Sequence, residues 1–353
     1  MEKEGIDAVV QQSSNRLLQI AGPPVRYWIF RFVRRMTDDD IIQRRTLDEC
    51  ATYTPRAKLL RTLRPDGTWP VPQNKAEVER RGPGPPFGPT YTTMLRNLYM
   101  LAEYRTPPEE GHVTASLEKI LSWQTPEGWI PGPEMVGIPE THSNGFALGI
   151  LNRFGMEKDP RVQRLSRWLM SMQRRDGGWN IPYIEDVRHM PEYKFMRMSE
   201  FVDLVRHGKI KGYEMHDYDE VPSCIWTTLM VLRGLVQSPT LRHDDRTHRG
   251  GDFFLEHFFK RNYHAAYYRS EKNWTTLKYP TWHGSGLCGL DMLTAMRFGP
   301  ADPRMDWPVK WLVEARSRDG LWHQSGRPDP GKDQWISVTA LGSLARYAEM
   351  LGT

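Results

Sequence analysis

The sequence predicts an all-α chain, an α/α toroid of about five to six helix pairs with inner and outer helix layers. Two observations predict it: a short turn ending in tryptophan that recurs five times, and an alternation of apolar with amphipathic helical stretches on either side of it. The turns are Pro65-Asp66-Gly67-Thr68-Trp69, Pro126-Glu127-Gly128-Trp129, Asp176-Gly177-Gly178-Trp179, a degenerate Lys272-Asn273-Trp274, and Asp319-Gly320-Leu321-Trp322. An acid or Asn closes such a turn onto its own backbone, Gly supplies the positive φ that ends a helix, and Trp clamps neighbouring helices.

The acid or Asn positions 66, 127, 176, 273 and 319 are separated by 61, 49, 97 and 46 residues. Periods of this order mark repeat architectures. After each turn comes an apolar stretch containing small residues, beginning near Thr90, Thr141, Ser223, Thr281 and Gln334, the five expected inner helices. Before the next turn comes an amphipathic one, as in Arg161 to Gln173, where arginines separate apolar residues at helical spacing. The 97-residue interval holds one clear pair, so about 180–220 reads as an insertion. Residues 1–52 are expected to pack on or complete the ring by supplying its sixth position, and 53–353 to form the toroid. Trp69, Trp129, Trp179 and Trp322 are expected to be buried between repeats.

Of the 353 residues, 39% are hydrophobic and 26% charged, which suits a globular helical protein. Cys50, Cys224 and Cys288 are too few and too scattered for a disulfide framework, and the start Met1-Glu-Lys-Glu-Gly lacks a signal peptide, so a cytoplasmic location is expected. The net charge of +5 is mild and forms no basic stripe with interleaved aromatics, which argues against a nucleic-acid partner. The segment 24–36, Pro24-Val-Arg-Tyr-Trp-Ile-Phe-Arg-Phe-Val-Arg-Arg-Met36, is short, aromatic and basic. It reads in two ways: a helix packed on the ring with its Arg stems snorkelling, or a peripheral contact that associates the chain with a membrane. Asp38-Asp39-Asp40 ahead of Ile41 reads as a helix N-cap.

The stretch from Leu165 through Gln173, Asp176 and Trp179 resembles the QW repeat of squalene cyclases and prenyltransferase-type α/α toroids. Trp123-Gln124 before Glu127-Gly128-Trp129 is a shortened copy, while the turns at Asp66 and Asp319 lack the Gln. Segments such as Lys278-Tyr-Pro-Thr-Trp-His283, Gly289-Leu-Asp-Met-Leu293 and Gln334-Trp335-Ile336 look like those of single-toroid members of this superfamily. Each inner helix begins just after a turn, so their starts are expected at one mouth of the ring; the resemblance implies an isoprenoid-processing enzyme that binds a hydrophobic small molecule there and cyclises it by acid initiation.

Asp217-Tyr218-Asp219-Glu220 is similar to the Asp-x-Asp-Asp acid of class II terpene cyclases and precedes an inner helix. The resemblance makes Asp219 the proton donor, assisted by Asp217 and Glu220, because crowded carboxylates raise one another's pKa. Two departures bear on it: the last position is Glu, and Val221-Pro222 separates the motif from its helix. The other reading of the four residues is a solvated acidic loop. Tyr91, Trp226, Trp282 and Trp335 are candidate walls whose π faces would stabilise cations, with His142 and His283 beside them. His142, Cys224 and His283 open three inner helices and would make a zinc site if they converged with Cys288 or an acid; as separate residues they read as caps and core. The acid mechanism needs no cofactor, and zinc is the cofactor of the alternative.

No Walker loop, dinucleotide fingerprint, Gly-x-Ser-x-Gly, His-Glu-x-x-His or Cys-x-x-Cys occurs in the chain. Two classes of function therefore stand: a terpene-cyclase-like enzyme, and a non-catalytic or zinc-dependent toroid that binds a peptide or small ligand at its mouth.

Overall fold

The computed structural model describes residues 2–71, 88–132, 138–187, 190, 192–210, 214–264, 267–279, 284–327 and 329–352, and among them there are helices and turns but no β-strand. The helices are α1 (Lys3–Leu18), α2 (Pro23–Phe32), α3 (Ile41–Ala51), α4 (Thr54–Thr62), α5 (Gly88–Glu103), α6 (Val113–Ser122), α7 (Thr141–Arg153), α8 (Pro160–Ser171), α9 (Met198–Arg206), α10 (Ile225–Leu235), α11 (Asp245–Glu256), α12 (Glu271–Thr275), α13 (Gly286–Ala295), α14 (Asp306–Glu314) and α15 (Pro330–Met350). They pack as two compact units: a central unit, Thr54–Leu241, and a terminal unit, Met1–Tyr53 with Arg242–Thr353.

The recurring turn has one geometry in four copies. Arg64, Thr125, Arg174 and Ser317 each donate their N–H to the carbonyl four residues on (Thr68, Trp129, Gly178, Leu321) at 2.8–3.0 Å. Each also accepts, on its own carbonyl, the N–H of the Gly three residues on at 2.9–3.0 Å. That Gly stands at φ +78, +109, +94 and +86° in turn, a region where a side chain would be strained. Asp66, Asp176 and Asp319 lock the turn by accepting the N–H two residues on, at 3.0, 3.0 and 3.2 Å. The degenerate copy departs from expectation. Lys272-Asn273-Trp274 lies inside the short helix α12, capped by Ser270 in a capping box, because Asn273 reaches back to the N-cap backbone instead of closing a turn.

Each clamp is a hydrogen bond as well as an apolar contact. The indole N–H groups of Trp69, Trp179 and Trp322 donate to the carbonyls of Leu59, Leu169 and Leu312, ten residues back in the preceding amphipathic helix, at 2.9, 2.8 and 2.7 Å. Trp274 keeps the bond despite losing the turn, donating to Lys260 O at 2.9 Å. These four rings are buried. Trp129, expected to be buried like them, is only half-buried and lies against Trp168 at 6.4 Å between ring centroids. The following apolar helix completes the clamp, from its fourth residue in α7 and α10 and from its eighth in α15. Asn144 brackets Ile130 by accepting its N–H at 2.7 Å and donating to its carbonyl at 2.8 Å, Thr228 accepts the Trp179 N–H at 2.9 Å, and Ser337 accepts the Trp322 N–H at 3.0 Å. Gln173 and Gln124, beyond the ends of α8 and α6, donate to the turn carbonyls of Gly177 and Gly128 at 2.8 Å, and Gln124 also reaches Arg161 O at 2.8 Å.

In the central unit α7 packs against α5, α8 and α10. It meets α10 at backbone distance: a Cβ on Gly234 would lie 2.1 Å from Gly145 O, and one on Gly145 would lie 2.6 Å from Val231 Cα. The apolar helices α7 and α10 are buried along nearly their whole length, and the amphipathic α6 and α8 along one stripe, so the alternation read from sequence is an alternation of burial. The apolar starts fall at Gly88, Thr141, Ile225, Gly286 and Pro330. The fourth is later than expected, with Thr281 outside the described residues. The fifth is earlier, because Asp329 accepts the Lys332 N–H and Pro330 opens the helix. The stretch taken as an insertion carries α9 and a small core of its own, in which Ile181, Ile184, Val187 and Phe201 pack with Ile138.

In the terminal unit α15 packs against α1, α2 and α13, and α2 against α3. The basic aromatic segment buries Val25, Tyr27 and Ile29, and its Arg35 pairs with Glu349 at 2.7 Å. Asp40 stands at the N-cap of α3 without capping it, since its carboxylate accepts from Thr37 N at 2.7 Å, while Asp38 accepts the Tyr27 hydroxyl at 2.8 Å. No helix among the described residues is long and apolar enough to cross a membrane.

Candidate active site

A buried polar network joins the N-terminal ends of α7 and α10 in the central unit. Thr141 Oγ1 donates to Asn180 O at 2.7 Å, and the Asn180 side chain accepts the Cys224 N–H at 2.6 Å and donates to Asp186. Arg174, 2% exposed, closes the network: it pairs with Asp186 at 2.9 Å and donates to the carbonyls of Tyr218 and Val221. Asp176 reaches across from its turn to accept both the N–H and the hydroxyl of Ser223, at 2.9 and 2.7 Å. The acidic segment that ends at Pro222 is thus held to the start of an apolar helix by side chains of the preceding turn.

Glu185 lies inside this network. One of its oxygens accepts the Ile181 N–H at 2.8 Å and the Thr227 hydroxyl at 3.1 Å, and the Cys224 thiol also donates to the carboxyl. Burial pushes this carboxyl up to about 7, with the Asp186 charge adding to the rise and the three donors opposing it. The buried Cys224 thiol is thus a partner of Glu185.

Next to Thr227 in the first turn of α10, the Trp226 ring lies 4.9 Å from the His142 ring at 44°. His142 is 6% exposed, and burial lowers its pKa to about 4, so the ring is neutral at physiological pH. Ser143 links it to Glu140: Ser143 Oγ donates to Glu140 Oε2 at 2.7 Å and stands 3.2 Å from His142 Nε2. Glu140 is fully buried, and its carboxyl lies where a Cβ on residue 132 would be, 2.0 Å from the Cδ, so Gly132 is what makes room for it. Asn144 holds the 130–132 segment in that position. Tyr91, fully buried on α5 with Trp123 edge-on to it at 5.3 Å, is kept protonated by burial and by the Glu140 charge.

Of the residues expected at the site, Tyr91, His142, Cys224 and Trp226 belong to this buried region. Asp219 lies at its edge, 20% exposed, with Arg175 at 2.8 Å and His216 at 3.5 Å; Asp217 and Glu220 are exposed. Trp335 is in the terminal unit, 5% exposed and stacked on Tyr279 at 5.4 Å. Trp282 and His283 lie outside the described residues. No group of three His, Cys, Asp or Glu among the described residues is arranged to hold a metal. Glu185 and Asp186 escaped the sequence reading because they fall in the stretch taken as an insertion. A Glu-Asp pair shortly after the Trp179 turn was the available signal. The terminal unit has a half-open groove of about 580 Å³ lined by Phe258, Phe259 and Trp307, whose charged rim is internally paired through Lys260–Glu256 and Arg304–Asp302.

No protein-family model and no curated protein sequence matches the chain. Among solved structures it is similar to a protein from Actinoplanes (12% identity, 99% of this chain and 100% of that one, TM-score 0.43). It is also similar to type II terpene cyclase MstE from Scytonema, as a variant in complex with merosterolic acid A (16%, 86% and 98%, 0.31) and as another with geranylgeranyl dihydroxybenzoate (14%, 86% and 98%, 0.29). At TM-scores below 0.5 these likenesses carry no argument about this chain.

Proposed function

We propose that the chain is an isoprenoid-processing enzyme of the terpene-cyclase type, an α/α toroid whose central unit initiates a carbocation by general acid catalysis. The observation that carries the proposal is Glu185, a carboxyl buried against Cys224 and Thr227 at the start of α10 and pushed up to about 7, with the Trp226 ring of the same first turn lying against His142. A general acid works best with a pKa near the ambient pH, and a cation needs π faces and a dry surround. Glu185 would give its proton to an epoxide oxygen or an alkene carbon, leaving a carboxylate and a carbocation. Ring closure ends with loss of a proton to a base, so the cycle consumes none.

We place the acid at Glu185 in preference to Asp219 because Arg175 occupies the Asp219 carboxylate, and Asp217 and Glu220 face solvent. Incubation with linear polyprenyl epoxides, alcohols and diphosphates, followed by mass analysis of extracts, tests the proposal. Cyclised product is expected from the wild type and from Asp219→Asn, and at least a hundredfold less from Glu185→Gln. Loss of product only in Asp219→Asn would return the acid role to Asp219. No turnover of any isoprenoid would favour the non-catalytic ligand-binding toroid.

A further inference from the structure

We propose that the groove of the terminal unit is a second ligand site, one that takes a small molecule carrying a primary ammonium group on an apolar body. Three elements frame the groove: the end of α11 with the residues that follow it, α12, and the start of α14. Its volume of about 580 Å³ is that of a small-molecule site, and it lies wholly within one compact unit.

The apolar part of the groove is aromatic. Trp307 and Phe259 meet at 80° with ring centroids 4.3 Å apart, forming two walls of a corner, and Phe259 is held from behind by Trp274, stacked on it at 23° and 5.3 Å. Trp307 is 55% exposed. The indole N–H groups of Trp69, Trp179, Trp274 and Trp322 are all bonded to backbone carbonyls, whereas that of Trp307 donates to no group among the described residues. This tryptophan therefore pins nothing, and its open ring presents a π surface that attracts cations.

The charges around the groove select the same kind of ligand. Lys260 pairs with Glu256 at 2.8 Å, and Arg304 is shared among Asp302, Asp252 and Glu256 at 2.5, 2.9 and 3.8 Å. Glu271, which also lines the groove, makes no ion pair with a described residue. Two bases thus face four carboxylates. An anionic ligand finds both bases already committed, while a cation completes the count. Glu271 and Thr275 stand four apart on α12, so they share a helix face, and both line the groove. The Thr275 hydroxyl is likewise unbonded among the described residues. A primary ammonium has three protons to give: one to the Glu271 carboxylate, one to Thr275 Oγ1, and one toward the aromatic corner.

Ligand-observed NMR titration at pH 7.5 with 4-phenylbutylamine, 4-phenylbutanol and 4-phenylbutyrate tests this, because the three share one apolar body and differ in charge. The amine is expected to bind about fivefold tighter than the alcohol, and the butyrate more weakly than either. Glu271→Gln should bring the amine to within about twofold of the alcohol while leaving the alcohol unchanged, and Trp307→Ala should weaken both. Equal or tighter binding of the alcohol or the butyrate by the wild type overturns the proposal, as does the absence of amine binding. Amine affinity unchanged in either variant overturns it as well. Both substituted side chains are exposed, and far-UV circular dichroism checks that the variants fold; if one does not, the wild-type ranking decides.

Discussion

Trp179 Nε1 donates to the carbonyl of Leu169 at 2.8 Å while Thr228 accepts the Trp179 N–H at 2.9 Å, so one residue ties an amphipathic helix to the apolar helix that starts 46 positions later. The same pair of ties recurs at Trp322, with Leu312 and Ser337. The indole is therefore a hydrogen-bonded pin inside a packed core, and its replacement has two separable parts.

Trp179→Phe should cost about 1–3 kcal/mol, because it leaves the Leu169 carbonyl buried without its donor, and Trp179→Ala about 3–5 kcal/mol, because a cavity is added. Urea unfolding followed by far-UV circular dichroism checks both. Equal midpoints for the two variants would show that the hydrogen bond, not the ring volume, is what matters there.

Gly234→Ala should lower the melting temperature more than an alanine on a helix ordinarily does. The added Cβ would lie 2.1 Å from Gly145 O, a backbone atom that cannot move without parting α7 from α10. An overpacking cost of about 1–3 kcal/mol is expected. Calorimetry decides it, and an unchanged or raised melting temperature would mean that the two helices do not meet at backbone distance.

The stability contribution of Glu185 should fall as pH rises. Its folded pKa, about 7, lies above the ordinary 4.5, so between those values the folded state binds the extra proton. Stability is lost across that window and the penalty is complete above it, on the order of 3 kcal/mol by the size of the shift. Glu185→Gln should therefore gain urea resistance relative to the wild type between pH 5 and 8. A gap that does not widen with pH would contradict the burial argument.

His323 should show a slope of the same sign for a different reason. Its Nδ1 faces Asp333 at 2.8 Å and its Nε2 faces Asp319 at 3.0 Å, so both nitrogens need a proton. Burial alone would lower its pKa, but hydrogen bonds from the ring to the two carboxylates outweigh this and raise it above 6.5. The pairing is complete below the unfolded value of 6.5 and fades as pH climbs through the raised folded value. Thermal melts from pH 6 to 9 should show the wild type losing its advantage over His323→Gln, and parallel curves would exclude the doubly paired imidazolium.

The repeating part of the fold was legible because it is local. Asp66, Gly67 and Trp69, or Asp319, Gly320 and Trp322, satisfy one another within about ten residues, so short spacing carries their geometry. The one copy that misled, Lys272-Asn273-Trp274, has no Gly to hold a positive φ and became a helix, although its Trp found a partner fourteen residues back. The acidic run Asp217 to Glu220 showed charge in sequence but not its neighbours, and Arg175 against Asp219 comes from the preceding turn.

By itself the sequence determined the all-α class, the alternation of apolar and amphipathic helices, and the turns that join them. The burial of Glu185 against Thr227 and Cys224, and the placing of Ser143 and His142 against Glu140, were decided only by the tertiary structure. The physical reason is that turn closure and helix amphipathicity depend on neighbours a few residues away. A carboxyl's pKa and a hydroxyl's partner depend on which distant groups burial sets beside them, and Glu185 and Thr227 are 42 residues apart.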